Sequence, residues 1–231
     1  MIRAFTRTRK SKLATKRQDL VIFGNGELAE VACVYLQKDS EYNVVAFTVH
    51  AEYLDQTELR SLPVVPFENL ATYPPQNCKM FVAIGYRDLN RVRERVYNEA
   101  KKKGYDLIRY VNSKAMHWGE LQVGDNCFIL EGNVIQPFVK IGNDVIIWSG
   151  NHIGHHTVIG DHCFIASHAV ISGGVRIGSH CFIGVNATIR DHISIADGCT
   201  IGAGAIILKD TKPGEVHASH PTEARVKAIG N

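Results

Sequence analysis

A small α/β domain followed by a parallel β-solenoid of about five coils is the architecture this sequence predicts, and three observations predict it. Fifteen consecutive hexapeptides from Val123 to Lys212 each begin with an aliphatic residue, Val123 first and isoleucine thereafter. A period of six held that long cannot be helical, because apolar helix faces recur about every 3.6 residues. The pattern Val123-Gly124-Asp125-Asn126 returns at Ile141, Ile159, Ile177 and Ile195, so three hexapeptides make one coil. Residues 19–112 lack this period and instead alternate short apolar runs with amphipathic stretches, as βα units do.

Four segments follow. Residues 1–18 form a basic extension, expected to be disordered: Arg3, Arg7, Arg9, Lys10, Lys12, Lys16 and Arg17 stand there without an acid, whereas the remaining chain is slightly acidic. Residues 19–112 read as a Rossmann-like domain. A buried strand at 20–23 leads into a tight turn, Gly24 to Glu27, and a helix over 28–37. Strands follow at 44–49 and 80–84, then a charged helix over 88–103 closed by Gly104, then a last strand at 107–111. Residues 113–212 form the solenoid, about 24 Å long if five coils stack at about 4.8 Å. Residues 213–231 are expected to fold over its open end as a cap for the unpaired strand.

Within each hexapeptide the first and fifth residues point inward, and the fifth must be small. Glycines after the aliphatic residue are read as corners with positive φ. The register places Cys127, Cys163, Cys181 and Cys199 in the small inward slot, as core residues rather than metal ligands or disulfides. Asn133 and Asn151 occupy the same slot one coil apart, which predicts a stacked amide ladder. With Cys33 and Cys78 in the other half and no CxxC, a reduced, cytoplasmic protein is expected. No run approaches eighteen apolar residues, so no membrane span is expected. The basic extension could serve as an arm for nucleic acid or an anionic membrane, but a plain disordered extension is the preferred reading and no nucleic-acid partner is expected.

Gly24-Asn25-Gly26-Glu27 opens a helix after a strand, where backbone N–H groups suit a phosphate. A NAD site also needs an acid closing the second strand, and that strand ends Phe47-Thr48-Val49-His50. The turn is therefore read as a nucleotide-sugar site rather than a redox site.

Seven of the eleven histidines fall between His152 and His192. His162 and His180 share one fourth-position column, and His156 and His192 another; these are expected to point outward, to solvent or to a subunit interface. His155 stands in a third-position column that reads Pro137, His155, Gly173, Asp191, Lys209, so a bare Gly173 lies one coil beyond it. His152 is placed at a corner beside it.

A Rossmann-like domain joined to hexapeptides, with Trp148-Ser149-Gly150-Asn151-His152-Ile153-Gly154-His155-His156-Thr157-Val158-Ile159-Gly160, resembles the bacterial nucleotide-sugar acetyltransferases. These include the UDP-4-amino-sugar N-acetyltransferases and the sialic acid O-acetyltransferases, and the resemblance spans about residues 20–212. It implies a left-handed β-helix, a homotrimer, and acetyl-CoA as acyl donor to an amino or hydroxyl group of a sugar in surface polysaccharide or glycoconjugate synthesis, with no metal and no NAD. It implies His155 as the base, with His156 in the place where the family often has an acid. It implies nucleotide-sugar contacts at Gly24, Asn25, Gly26, Glu27, Thr48, Gly85, Tyr86, His152 and Trp148. CoA contacts are implied at Phe164, Gly173, Gly174 and Ala203. Two rivals remain open: a non-catalytic binding or assembly subunit, and a zinc hydratase of the γ-carbonic-anhydrase type, whose five-residue histidine spacing is missing here.

Overall fold

The structure, a computed structural model, describes residues 17–119 and 121–219; most of the basic extension and most of the expected cap lie outside the described residues. The N-terminal half is built from β1 (Gln18–Phe23), α1 (Glu27–Asp39), β2 (Tyr42–Val49), β3 (Glu58–Leu59), β4 (Leu62–Pro66), β5 (Lys79–Val82) and α2 (Arg91–Lys102). The sheet order is β3-β4-β2-β1-β5, parallel except for the β3–β4 pair. The fully buried run Leu20–Ile22 is the apolar signature of a strand covered on both faces.

Two elements differ from the sequence reading. The helix expected from residue 88 begins at Arg91, because Asp88, Leu89 and Asn90 all adopt positive φ. The strand expected at 107–111 is not the last strand of the domain. Leu107 makes one isolated bridge to Met80, and Tyr110–Val111 opens the solenoid by pairing with Phe128–Ile129. The hairpin β3–β4 escaped the reading because its strands are short and only partly buried.

The solenoid has three faces. Face 1 has seven strands, from Tyr110–Val111 to Val216–His217; face 2 has six, from Met116–His117 to Ile206–Ile207; face 3 has five, from Gln122–Val123 to Ser194–Ile195. It is thus longer than five coils at both ends. Val216–His217 pairs with Thr200–Ile201, so the described part of the C-terminal segment continues face 1 rather than folding across the end.

The interior follows the register. The first-position residues from Val123 to Ile207 form one buried cluster, and Cys127, Cys163, Cys181 and Cys199 within it are inaccessible. All six cysteines are free, and burial pushes the Cys127 thiol up to about 12, so it stays protonated and unreactive. The amide ladder is present: Asn151 Nδ2 donates to Asn133 Oδ1 at 3.0 Å, and Asn151 Oδ1 accepts from Ala169 N–H.

The corners correct the reading of the glycines. Positive φ belongs to the fourth position, held by Asn126, Gly132, Phe138, Asp144, Gly150, His156, His162, His168, Gly174, His180, Asn186, His192, Gly198 and Gly204. Apart from Phe138 these are glycine or the Asn, Asp and His side chains that tolerate the left-handed region best. The second-position glycines have ordinary φ and are needed for close approach. A Cβ on Gly160 would sit 2.7 Å from Gly178 C and 2.8 Å from Ser179 N in the next coil. We therefore expect Gly160→Ala to destabilise the chain by about 1–3 kcal/mol in a denaturant titration. Gly26→Ala, where nothing lies within 4 Å, has no such clash.

Face 1 carries the N-terminal half. Its outward column Phe128, Ile146, Phe164, with Leu130 and Ala166 beside it, is buried in one cluster with Leu20, Ala29, Cys33, Leu36 and Phe81. Helix α2 lies along the edge where face 3 turns into face 1. There Arg93, fully buried, bonds Asp144 Oδ1 at 3.0 Å and reaches the carbonyls of Asp144 and Cys163. Tyr97 and Lys101 meet Asp125 on the same edge. His162 and His180 accordingly do not face solvent: they are covered by α2 and lie against Glu94.

Candidate active site

Most of the predicted residues fall into two groups on opposite sides of the prism, with Thr48, His152 and Ala203 outside both. The first lies where the N-terminal half meets face 1. Gly24 takes φ +130°, and a Cβ there would stand 2.7 Å from Ala83 O, so the turn requires glycine on both counts. The turn is fixed by Asn25 Nδ2, which donates to Asp55 Oδ1 at 2.8 Å and Tyr53 O at 3.3 Å. Helix α1 starts immediately after Gly26, whose carbonyl receives the Ala29 and Glu30 N–H groups.

Beside this turn opens a cavity of about 420 Å³ lined by Phe23, Gly24, Asn25, Val49, His50, Tyr53, Ile84, Arg87, Val92, Arg95 and Val96. It pairs apolar walls with two guanidiniums at the start of a helix, a combination suited to a nucleotide's base and phosphates. Sequence reasoning missed Arg87 and Arg95. The signal available was two arginines eight residues apart after Gly85, one in the loop and one in the charged helix, where Arg95 reads as ordinary helix surface. His50, which closes β2 where a dinucleotide site wants an acid, is held between Glu68 (3.0 Å) and Glu99 (3.2 Å).

A second cavity, about 200 Å³, is lined by Glu27, Leu28, Val31, Gly85, Tyr86, Trp148 and Phe164. It unites four of the predicted sugar-side residues. Tyr86 is 54% exposed, with its ring 4.9 Å from Phe164 and 4.7 Å from Phe182. Trp148 packs toward Phe164 at 6.5 Å, and its Nε1 is buried without a hydrogen-bond partner in the structure.

Two expectations fail here. Thr48 is fully buried and donates its hydroxyl to Val65 O in the neighbouring strand, so it offers nothing to the cavity. Phe164, expected beside CoA, is 5% exposed and packs in this cavity, because it stands on the face that the N-terminal half covers.

The second group stands at the edge between faces 2 and 3, away from the N-terminal half. His155 and His156 form an exposed corner with ring planes at 86° and Nδ1 atoms 3.1 Å apart. One of the two nitrogens must carry the proton and the other a lone pair. Gln136 Oε1 accepts the His155 N–H at 2.9 Å, and the His156 ring lies 4.6 Å from exposed Phe138. The predicted juxtaposition is present: a Cβ on Gly173 would stand 2.7 Å from His155 Nε2 and 2.6 Å from Cε1. The imidazole therefore lies against bare backbone. Gly174 N–H is engaged with His155 O at 2.7 Å, locking this corner to the next.

His152 is not at a corner. It lies in the strand His152–Ile153, paired with Val134 and Val170, half-buried and facing outward on face 2. Ala203 stands at the edge between faces 1 and 2, a different edge from Gly173 and Gly174.

Comparison with known proteins agrees with this two-part build. Residues 19–100 match the family model described as PglD N-terminal domain. Residues 121–154 and 139–173 match the bacterial transferase hexapeptide (six repeats), and 174–209 the hexapeptide repeat of succinyl-transferase. No curated protein gives a significant match. Among solved structures, the chain is similar to the acetyltransferase domain of PglB from Neisseria gonorrhoeae in complex with acetyl coenzyme A. That match has a TM-score of 0.78 and 23% identity, covering 90% of this chain and 98% of that one. It is equally similar to a mutant of perosamine N-acetyltransferase from Caulobacter crescentus in complex with CoA and GDP-perosamine, with a TM-score of 0.78, 24% identity, and 90% and 97% covered. A third is WeeI from Acinetobacter baumannii, with a TM-score of 0.75, 21% identity, and 87% and 97% covered. The solenoid is of the left-handed type these proteins share.

Proposed function

We propose that this chain, which joins a PglD-type N-terminal domain to transferase hexapeptides, is a CoA-dependent acetyltransferase acting on an amino or hydroxyl group of a nucleotide-linked sugar. Such a product would feed surface polysaccharide or glycoconjugate synthesis. The observation that carries the reading is the corner where the His155 imidazole lies against Gly173 with His156 Nδ1 at 3.1 Å. The relatives whose complexes hold acetyl coenzyme A, or CoA with GDP-perosamine, support the choice of donor and acceptor class.

The mechanism uses one of the two tautomer pairs that the 3.1 Å contact allows. His155 Nδ1–H donates to His156 Nδ1, which leaves the His155 Nε2 lone pair free as a base. Nε2 takes the proton of the sugar amine or hydroxyl as it attacks the thioester carbonyl, and the charge that develops on His155 strengthens its bond to His156. His156 thus orients the base in the place where the family often has a carboxylate. Collapse of the tetrahedral intermediate breaks the C–S bond and releases CoA, with no acyl-enzyme. A backbone N–H near Gly173 would stabilise the oxyanion.

One chain is not expected to complete this site: the nucleotide cavity is lined by the N-terminal half, and the smaller cavity beside it by Trp148 and Phe164 of face 1, whereas His155 lies on the edge opposite that face. Face 2 and its edge expose Met116, Trp118, Phe138, Val170, Ile206 and Leu208, an apolar surface suited to a subunit contact. We read the assembly as a homotrimer in which the N-terminal half of one subunit presents the sugar to His155 of the next. The test is thiol release from acetyl-CoA with UDP-, GDP- and dTDP-linked amino sugars, alongside sedimentation. Turnover by a particle of three chains is expected. A chain that binds neither CoA nor a nucleotide sugar would point to the assembly-subunit alternative.

A further inference from the structure

Away from the His155 edge, helix α2 carries Glu94 to two corner histidines one coil apart. His180 Nε2 is 3.1 Å from one Glu94 oxygen and His162 Nε2 is 3.8 Å from the other. The two imidazoles stack with centroids 5.0 Å apart at 29°. One ligand atom from each of the three residues lies within 4.8 Å of the others, and the side chains are 12%, 18% and 29% exposed for His162, His180 and Glu94.

The far side of His162 fixes its tautomer. Its Nδ1 is 2.8 Å from Asp144 Oδ2, and the buried Asp144 carboxylate is paired with Arg93. A carboxylate only accepts, so His162 Nδ1 must carry the proton. A neutral ring then aims the Nε2 lone pair at the Glu94 carboxylate, and two acceptors face each other across the gap. A cation between them resolves this conflict, and the stacked second imidazole adds a further donor atom to it.

We propose that Glu94, His162 and His180 bind one zinc ion that staples helix α2 to two successive coils. Two imidazoles and a carboxylate are a zinc donor set, with water in the fourth place. Zn–N and Zn–O bonds of about 2.0–2.2 Å put tetrahedral ligand atoms about 3.4 Å apart, so three donor atoms already within 4.8 Å of one another need only a small side-chain adjustment to close on one ion. Asp144 is the carboxylate that orients a metal-binding histidine through its other nitrogen. The ion is structural, remote from the acyl-transfer corner, and the proposal stands apart from the acetyltransferase reading.

The test uses the full chain stripped with chelator and titrated with Co²⁺, read by its visible bands, with Zn²⁺ in competition. The expected result is one equivalent per chain with the intense spectrum of four-coordinate cobalt, displaced by zinc. Glu94→Gln leaves the helix surface intact, and His180→Asn keeps a residue that tolerates φ +58°. Each should weaken binding by more than the roughly 10–100-fold typical of losing an orienting partner. A wild-type chain that takes up no cobalt, or binding unchanged in both variants, overturns the proposal.

Discussion

Replacing His155 with alanine should lower the rate of acetyl transfer by about 10²–10⁴-fold, the range contributed by a positioned general base. The side chain is exposed and belongs to no core cluster, so thermal stability and oligomeric state should stay at wild-type values. Two companions separate the base from its surroundings. Gly173→Ala puts a methyl group 2.6 Å from His155 Cε1, which must displace the ring, so it should also slow transfer although His155 is still present. His156→Asn keeps the left-handed corner at φ 60° while removing the imidazole whose Nδ1 lies 3.1 Å from His155 Nδ1, and should lower kcat although His155 is still present. Undiminished transfer by the His155→Ala trimer would remove His155 from the reaction.

Arg93→Ala should be the most damaging change to stability among those considered. The side chain is fully buried, and besides Asp144 it bonds the carbonyls of Gly85 and Cys163 and the Asn90 side chain. Removing it strands the Asp144 carboxylate, itself 0% exposed, without its counter-charge. Losing one partner of a buried pair costs about 3–5 kcal/mol, which for a chain of this size lowers Tm by about 10 °C. Most of that cost is the orphaned charge. Arg93→Ala combined with Asp144→Asn, which keeps an αL-tolerant residue, should therefore be more stable than Arg93→Ala alone. A denaturation series in which the double variant is the weaker protein would refute that account.

The solenoid was legible because its physics is repetitive: each inward position is tested fifteen times along the chain, so single exceptions such as Asn133 or Thr157 cannot hide the register. The same register located the His155–Gly173 contact, since columns one coil apart are neighbours in space. What it hid was the difference between faces. Phe128, Ile146, Phe164 and Phe182 stand outward on face 1 at intervals of eighteen. That column is the sequence trace of the docked N-terminal half. Inward positions alone do not reveal it, so the register says nothing of the cover that the N-terminal half lays over Phe164. The same holds for His162 and His180, because a register says which way a side chain points and not what covers it, and α2 covers both. In the N-terminal half the strands were found from local apolar runs. Tyr110–Val111 was credited to the wrong sheet, because two apolar residues do not specify which sheet they join.

The left-handed fourth position has a consequence for how such a chain acquires chemistry. Backbone geometry alone restricts that site to glycine and to Asn, Asp and His, with rare exceptions such as Phe138. Three of those four are proton carriers, hydrogen-bonding amides or metal ligands. Selection for nothing more than a well-turned corner therefore lines every edge of the prism with reactive side chains, stacked one coil apart. A new site on this scaffold needs a neighbouring subunit or helix to cover such a column, as α2 covers His162 and His180. It does not need a new residue to arise.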